Sequence, residues 1–145
     1  MINENKYDPI IKKYSDKYKL DWLLSKAQIK AESDFDEKAV NKSSGAMGLM
    51  QIMPKTWLEW EDGTPGIQDL TRDYDPFNPE DNIRVGCAYM HWLLNTYHLS
   101  YEDALRAYNW GIGNLLKWKK NGGTLPKETA EYTEKIFSFY RGYKS

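Results

Sequence analysis

The sequence predicts an all-α fold, and three observations support this prediction. Apolar residues recur at steps of three and four along most of the chain, which is the period of an amphipathic helix. No segment shows the strict alternation of apolar and polar residues that is typical of a half-buried strand. The 145 residues suit one domain, so we expect residues 1–145 to form a single compact helical unit.

The first predicted helix covers 20–32. Its main apolar stripe consists of Leu23, Leu24, Ala27 and Ala31. Trp22 and Ile29 lie on the opposite side, so both sides of this helix are expected to be covered, as in a central helix. Lys26 and Lys30 indicate that one flank of the helix reaches solvent.

The middle of the chain is expected to be less regular. Residues 41–48, NKSSGAMG, are rich in Asn, Ser and Gly and predict a loop. A short helix could start near Pro54. Residues 61–79 carry several Gly and Pro residues, and we expect an irregular loop there; long loops in compact domains are often functional.

Three further helices are predicted in the second half of the chain. Asn78, followed by Pro, Glu and Asp, is a strong helix start, because Asn caps the free N–H groups and the acids lie near the positive end of the helix dipole. A helix over 101–110 is expected to end at Gly111 and Gly113. The last predicted helix covers 127–140.

Composition excludes several classes of protein. The 20 basic and 21 acidic residues nearly cancel, which argues against a dedicated nucleic-acid binder. No apolar run is long enough to span a membrane, and the first ten residues do not resemble a signal peptide. Cys87 is the only cysteine, and His91 and His98 lack acidic partners nearby, so neither a metal site nor a cofactor is expected.

Glu32 is the strongest candidate for chemistry. It stands where a mostly apolar helix gives way to a polar loop, and burial of a carboxyl group raises its pKa. A carboxyl that is neutral near pH 7 is what a general acid needs to break a glycosidic bond. By position alone, a solvated or capping role is the plainer alternative. No nucleophile-elbow sequence supports a Ser-His-Asp triad.

The string around Glu32 resembles a known family. Residues 31–56 read AESDFDEKAVNKSSGAMGLMQIMPKT, which is similar to the signature of the soluble lytic transglycosylases, a goose-lysozyme-like family that cuts bacterial peptidoglycan. Three later segments resemble the family's other motifs: 75–89, the AYNWGIG of 107–113, and the LPKETAEY of 125–132. The resemblance covers about residues 10–140 in the family's order, and the four segments together are specific.

The resemblance implies a fold and a mechanism. The fold would be the compact lysozyme-like helical fold of this family. Glu32 would protonate the oxygen between N-acetylmuramic acid and N-acetylglucosamine, and would then act as base on the muramoyl 6-hydroxyl, which closes a 1,6-anhydro ring. This reaction uses no water, no metal and no second carboxylate, and its partner is the glycan strand of peptidoglycan.

The resemblance also places seven residues at the sugar site. These are Ser43, Gln51, Met53, Tyr108, Asn109, Glu128 and Tyr132. Met53 would form an apolar wall that keeps Glu32 neutral, and Tyr132 would lie close to Glu32. At the position of the family's usual Ser this sequence has Lys42, so Asn41 or Ser43 would take that role, and Ser43 is favoured.

Five of these residues have a plainer interpretation. Tyr108 and Met53 could belong to the core. Gln51 and Asn109 could satisfy buried backbone groups in place of sugar. Glu128 could favour the N-terminus of its helix.

Two other functions stay open at this stage. A goose-type lysozyme-like hydrolase would need a second acid to position water, for which Asp62, Asp69 or Asp73 in the long loop are candidates. Independently of this choice, the segment from Trp57 to Tyr74 is expected to help shape the cleft wall. The other alternative is a non-catalytic module that binds the cell wall, although such a module has no need of an acid at Glu32.

The family's substrate lies outside the cytoplasmic membrane, in the periplasm or the cell wall. Because the sequence shows no signal peptide, we expect a removed signal, a domain of a larger protein, or a component delivered by a phage or a conjugation apparatus. A monomer is expected, either alone or as part of a larger assembly.

Overall fold

The computed structural model describes residues 3–61 and 74–145. These residues contain seven α-helices and no strand beyond isolated bridges, which confirms the all-α prediction. The helices are α1 (Asp8–Lys17), α2 (Trp22–Ser33), α3 (Pro54–Glu61), α4 (Pro79–Thr96), α5 (Tyr101–Trp110), α6 (Ile112–Asn121) and α7 (Lys127–Lys144).

The helix α2 lies at the centre of the packing, as its two apolar sides predict. It packs most extensively against α7 and also contacts α1, which in turn rests on α4. Ala27 and Ile29, on different sides of α2, are both fully buried. The helix α5 contacts α4, α6 and α7 and so closes the other side of the core.

The helix starts that the sequence predicts are formed by side-chain caps. The Asn78 side chain accepts from the N–H of Asp81 at 3.1 Å at the start of α4. The Ser100 side chain accepts from the N–H of Asp103 at 3.1 Å at the start of α5. Each cap satisfies a backbone donor that the first helical turn leaves unpaired.

Two helices were not predicted from the sequence. Half of the ten residues of α1 are charged, and only a narrow strip that includes Ile11 and Tyr14 is buried. The helix α6 starts immediately after Gly111, whose φ of 99° is non-helical and separates α5 from α6. The expectation that Gly113 also ends a helix is wrong, because Gly113 lies inside the first turn of α6.

The expectation that one flank of α2 reaches solvent is wrong for Lys26. Only 5% of its side chain is exposed, and its ammonium group lies 3.0 Å from a carboxylate oxygen of Asp8. It also donates to Asn5 at 2.6 Å. The helix α1 thus covers this flank and supplies the polar partners that a buried ammonium group needs.

The structure confirms the short helix expected near Pro54, which is α3, so the segment from Trp57 to Tyr74 begins inside a helix. Trp57 and Trp60 lie in α3 and are buried. The Trp60 ring packs edge-on against the rings of Tyr89 and Trp92, with centroids 5.5 and 5.7 Å apart. Residues 62–73, which make up most of the predicted irregular loop, lie outside the described residues; residues 74–78 are non-helical.

Candidate active site

A cleft of about 460 Å³ runs between the C-terminal end of α2, the segment 41–56 and the neighbouring parts of α4, α5 and α7. The volume falls within the usual range for small-molecule sites. The structure brings seven of the eight predicted site residues to the lining of this cleft: Glu32, Ser43, Gln51, Met53, Tyr108, Asn109 and Glu128. The eighth, Tyr132, reaches the same place by a direct hydrogen bond to Glu32.

The environment of Glu32 strongly favours its neutral form. Burial is the largest cause and raises the pKa of Glu32 to about 8, although its carboxyl lines the cleft. The hydroxyl of Tyr132 lowers this pKa by donating to the carboxyl, whereas the negative charge of Glu128 raises it. With a pKa near 8, roughly nine-tenths of the Glu32 carboxyls are protonated at pH 7.

A chain of two hydrogen bonds supports Glu32 from the protein interior. The Tyr132 hydroxyl donates to Oε2 of Glu32 at 2.8 Å. Nε2 of Gln28 donates to the Tyr132 hydroxyl at 3.2 Å. Burial raises the pKa of Tyr132 well above its ordinary value, and the nearby charge of Glu32 raises it further, so that this hydroxyl keeps its proton and acts as a donor.

The segment that carries the Gly-Leu-Met-Gln string is held by Asn82 of α4. The Asn82 side chain donates to the carbonyls of Met47 at 3.0 Å and Pro76 at 2.8 Å and accepts from the N–H of Met50 at 2.8 Å. Gly48 packs directly against this side chain with a φ of 75°, and a Cβ there would lie 2.3 Å from Nδ2 of Asn82. Glycine is therefore required for this close approach.

Gln51 and Tyr108 line the cleft and also hold its backbone. Nε2 of Gln51 donates to the carbonyls of Ala39 at 3.2 Å and Gly48 at 3.0 Å. The Tyr108 hydroxyl donates to the carbonyl of Met50 at 2.7 Å. The plainer interpretation of Gln51 is thus present in the structure, alongside its position in the cleft.

The opposite rim of the cleft is formed by Asn109 and Glu128. Oδ1 of Asn109 accepts from the Thr129 hydroxyl at 2.9 Å, which orients the carboxamide of Asn109. Glu128 is exposed in the first turn of α7. Glu128 and Glu32 are the two acids among the described residues that line the cleft.

The loop after α2 carries both candidates for the family's Ser, and both line the cleft. Oδ1 of Asn41 accepts from the N–H groups of Ser43 at 2.9 Å and Ser44 at 3.1 Å, so this side chain shapes the turn. Ser43 and Asn41 are both exposed, and Ser43 stays the predicted sugar contact. Met53 is also at the cleft and is 43% exposed, so it forms a surface patch and is not part of the core.

Sequence reasoning missed three residues of this site. Gln28 was hidden within an otherwise apolar stretch of α2, and its place four residues before Glu32 was the available signal. Tyr89 and Trp110 both line the cleft. Trp110 is partly exposed and stands at the end of α5, next to Asn109.

Residues 3–61 and 74–145 contain neither a metal-binding cluster nor a membrane-spanning helix. No group of three or more His, Cys, Asp or Glu side chains there could hold a metal ion. None of the helices in the same part of the chain combines the length and apolar character needed to cross a membrane.

Comparison with known proteins identifies the family. The family model described as the transglycosylase SLT domain matches residues 9–130. The chain belongs to this family. Among curated proteins, this chain is 35% identical to the membrane-bound lytic murein transglycosylase C of Photorhabdus laumondii and 33% identical to that of Yersinia pestis. Each match covers 78% of this chain. It covers 33% of each relative, so it spans about a third of their length.

Solved structures of the same family share the fold. The inactive Glu-to-Gln mutant of lytic transglycosylase Slt from Pseudomonas aeruginosa matches with a TM-score of 0.82 and 26% identity, over 96% of this chain and 24% of that chain. The 70 kDa soluble lytic transglycosylase of Escherichia coli matches with a TM-score of 0.82 and 23% identity, over 97% of this chain and 25% of that one. These matches confirm the predicted fold.

Proposed function

We propose that this SLT chain is a lytic transglycosylase that cleaves the bond between N-acetylmuramic acid and N-acetylglucosamine in peptidoglycan. One observation carries the proposal: a single neutral carboxyl, Glu32, lies at the cleft and receives a hydrogen bond from a buried tyrosine. The relatives named lytic murein transglycosylase support the same substrate. The inactive Glu-to-Gln mutant of the Pseudomonas aeruginosa protein shows that one glutamate is essential in that relative.

In the proposed reaction, Glu32 acts first as acid. Its proton passes to the glycosidic oxygen, the bond from that oxygen to the muramoyl C1 breaks, and N-acetylglucosamine leaves with a new hydroxyl. The positive charge that develops at C1 is stabilised by the substrate's own N-acetyl group. Because this stabiliser comes from the substrate, the protein needs no second carboxylate for this step.

Glu32 then acts as base. As a carboxylate it takes the proton from the muramoyl 6-hydroxyl, whose oxygen bonds to C1 and closes the 1,6-anhydro ring. The proton that was lost in the first step is thereby returned, and no water enters the product. A pKa near 8 suits both roles, because the free energies of the protonated and ionised carboxyl differ little near neutral pH.

The cleft provides groups that suit a sugar with an acetamido substituent. We propose that Ser43 and Asn109 offer polar contacts to sugar or acetamido groups, that Met53 contributes apolar contact, and that the rings of Tyr108 and Trp110 line the path of the glycan. Gln51 would act mainly by keeping the backbone of the cleft in place.

Release of soluble muropeptides from purified sacculi tests the proposal. We expect release by the wild-type chain and a loss of at least about a hundredfold in Glu32→Gln, since general acid–base catalysis contributes that much or more. Glu131→Gln is the matched control, because Glu131 is an exposed residue of α7 that does not line the cleft. Full activity of Glu32→Gln would overturn the assignment.

A hydrolase of the same fold is the second candidate. Glu128 favours it, because it is a second acid at the cleft rim. The other acids considered for this role, Asp62, Asp69 and Asp73, lie outside the described residues. Products with a hydrated reducing end would identify the hydrolase. A wall-binding module without catalysis is favoured by no observation at this site.

We further propose that this chain acts on murein outside the cytoplasm, as the names of its membrane-bound relatives imply for those proteins. We also propose that this chain acts as a monomer.

A further inference from the structure

We propose that Gln28 is a positioning residue that acts through Tyr132. It would hold the acidic proton of Glu32 on Oε1, the carboxyl oxygen that Tyr132 does not contact and that faces the substrate. This inference rests on the proposed function of Glu32 as the catalytic acid. Gln28 and Glu32 are four residues apart on α2, so they lie on the same face of the helix. Gln28 is fully buried and does not line the cleft.

The direction of the two hydrogen bonds determines where the proton of Glu32 lies. A tyrosine hydroxyl has one hydrogen, and the N–H of Gln28 occupies an acceptor site on its oxygen. The hydroxyl hydrogen is then directed to Oε2 of Glu32. Because Oε2 accepts this hydrogen, the proton of the neutral carboxyl is placed on Oε1, the oxygen that Tyr132 does not contact.

The opposite orientation of the Gln28 amide would have the opposite effect. Oε1 of Gln28 would accept the hydroxyl hydrogen of Tyr132, and Tyr132 could then only accept a hydrogen bond from Glu32. The acidic proton would lie on Oε2, turned away from the glycosidic oxygen. The observed orientation also supports the second step, since a chain of donors that ends on the carboxylate strengthens each bond in it.

The burial of a polar side chain at Gln28 fits a role in supporting Glu32. Its Oε1 is buried and has no hydrogen-bond partner in the described structure. A buried carbonyl that is left unpaired destabilises the fold, whereas an apolar side chain of similar size would avoid this cost. A residue that weakens its own packing but completes the support of Glu32 fits a functional position.

Among the described residues, three other groups interact electrostatically with Glu32. Glu128 and Lys135, both on α7, act on it in opposite directions, and Tyr108 on α5 lies close enough to be affected by its charge. Gln28, by contrast, acts on Glu32 through its hydrogen bond to the Tyr132 hydroxyl. Its removal should therefore be visible in the titration of Glu32.

The test compares Gln28→Leu with the wild-type chain in three measurements. We expect kcat on peptidoglycan to fall roughly tenfold, the factor that the loss of one hydrogen bond supports. We expect the basic limb of the kcat–pH profile to move to higher pH, since Tyr132 donates less strongly to Glu32. The melting temperature should stay the same or rise, which separates this effect from a loss of folding.

Two further variants complete the test. In a Tyr132→Phe background, Gln28→Leu should cause no further loss of kcat, because the chain of hydrogen bonds is already broken. Gln28→Met, which is unbranched, replaces Gln28→Leu if that variant fails to fold. An apolar variant that folds and keeps the wild-type kcat and pH profile would overturn the inference.

Direct titration of Glu32 separates this inference from the proposed function. The carboxyl carbon of Glu32, labelled with ¹³C and assigned by its absence in Glu32→Gln, reports the pKa without any substrate. A higher pKa in the apolar variant supports the role of Gln28 whether or not the chain cleaves peptidoglycan. An unchanged pKa overturns that role and leaves the assignment of Glu32 untouched.

Discussion

Replacing Glu32 by glutamine should stabilise the protein, and the gain should grow with pH. Glutamine resembles the neutral carboxyl in shape and can still accept the hydrogen bond from Tyr132. The wild-type carboxyl, by contrast, binds its proton more tightly in the folded chain than in the unfolded chain. Its pKa is about 8 in the folded chain and 4.5 in the absence of the fold.

The magnitude follows from proton linkage. Because the folded pKa is raised, the folded state is favoured fully below pH 4.5, and this advantage is lost as pH rises towards 8. Relative to Glu32→Gln, the wild-type chain should lose roughly 1 kcal/mol at pH 5, roughly 3 kcal/mol at pH 7 and close to 5 kcal/mol at pH 9. These are upper values, since the carboxyl lines an open cleft and water screens part of its charge.

Urea unfolding at pH 5, 7 and 9 measures this difference. At pH 7, a gain of up to about 3 kcal/mol corresponds to a rise of up to roughly 10 °C in melting temperature for a chain of this size. The Glu131→Gln control should change stability by less than about 0.5 kcal/mol at every pH. A stability difference for Glu32→Gln that does not change with pH would refute the account of a neutral Glu32.

Two further substitutions test the construction of the cleft. Glu128→Gln should move the basic limb of the kcat/KM–pH profile to lower pH, because the charge of Glu128 raises the pKa of Glu32; a limb that stays in place would show that the two acids do not interact. Gly48→Ala should destabilise the fold by about 3 kcal/mol or more and reduce activity, since the new Cβ would overlap Asn82 at a positive φ. In the control Gly113→Ala the new Cβ meets no atom within 4 Å, so this variant should not lower stability in the same urea titration.

The sequence predicted those helices that have a capping residue at their start or an apolar stripe at helical spacing. Asn78 and Ser100 stand where capping residues are needed, and α4 and α5 begin directly after them. The helix α1 was missed because five of its ten residues are charged and only a narrow strip that includes Ile11 and Tyr14 is buried. Lys26 was assigned to solvent because its partner Asp8 belongs to this unpredicted helix.

Most of the cleft could be located from motifs, but the hydrogen bonds within it could not. The resemblance indicated Glu32 and Tyr132, which are 100 residues apart in sequence. In the structure the Tyr132 hydroxyl lies 2.8 Å from Oε2 of Glu32. Gln28 belongs to no motif, and its contact with Tyr132 arises only because α2 packs against α7. Gln51 both lines the cleft and donates to the carbonyls of Ala39 and Gly48, and these contacts likewise depend on how the segment folds.

The mass of the muropeptides released from sacculi tests the central claim most directly. If Glu32 acts as acid and then as base on the substrate's own hydroxyl, the products carry a 1,6-anhydro end and are about 18 Da, one water, lighter than hydrolytic products. We predict these lighter products from the wild-type chain and none from Glu32→Gln. Products that carry the additional water would contradict the claim and show that the chain is a hydrolase.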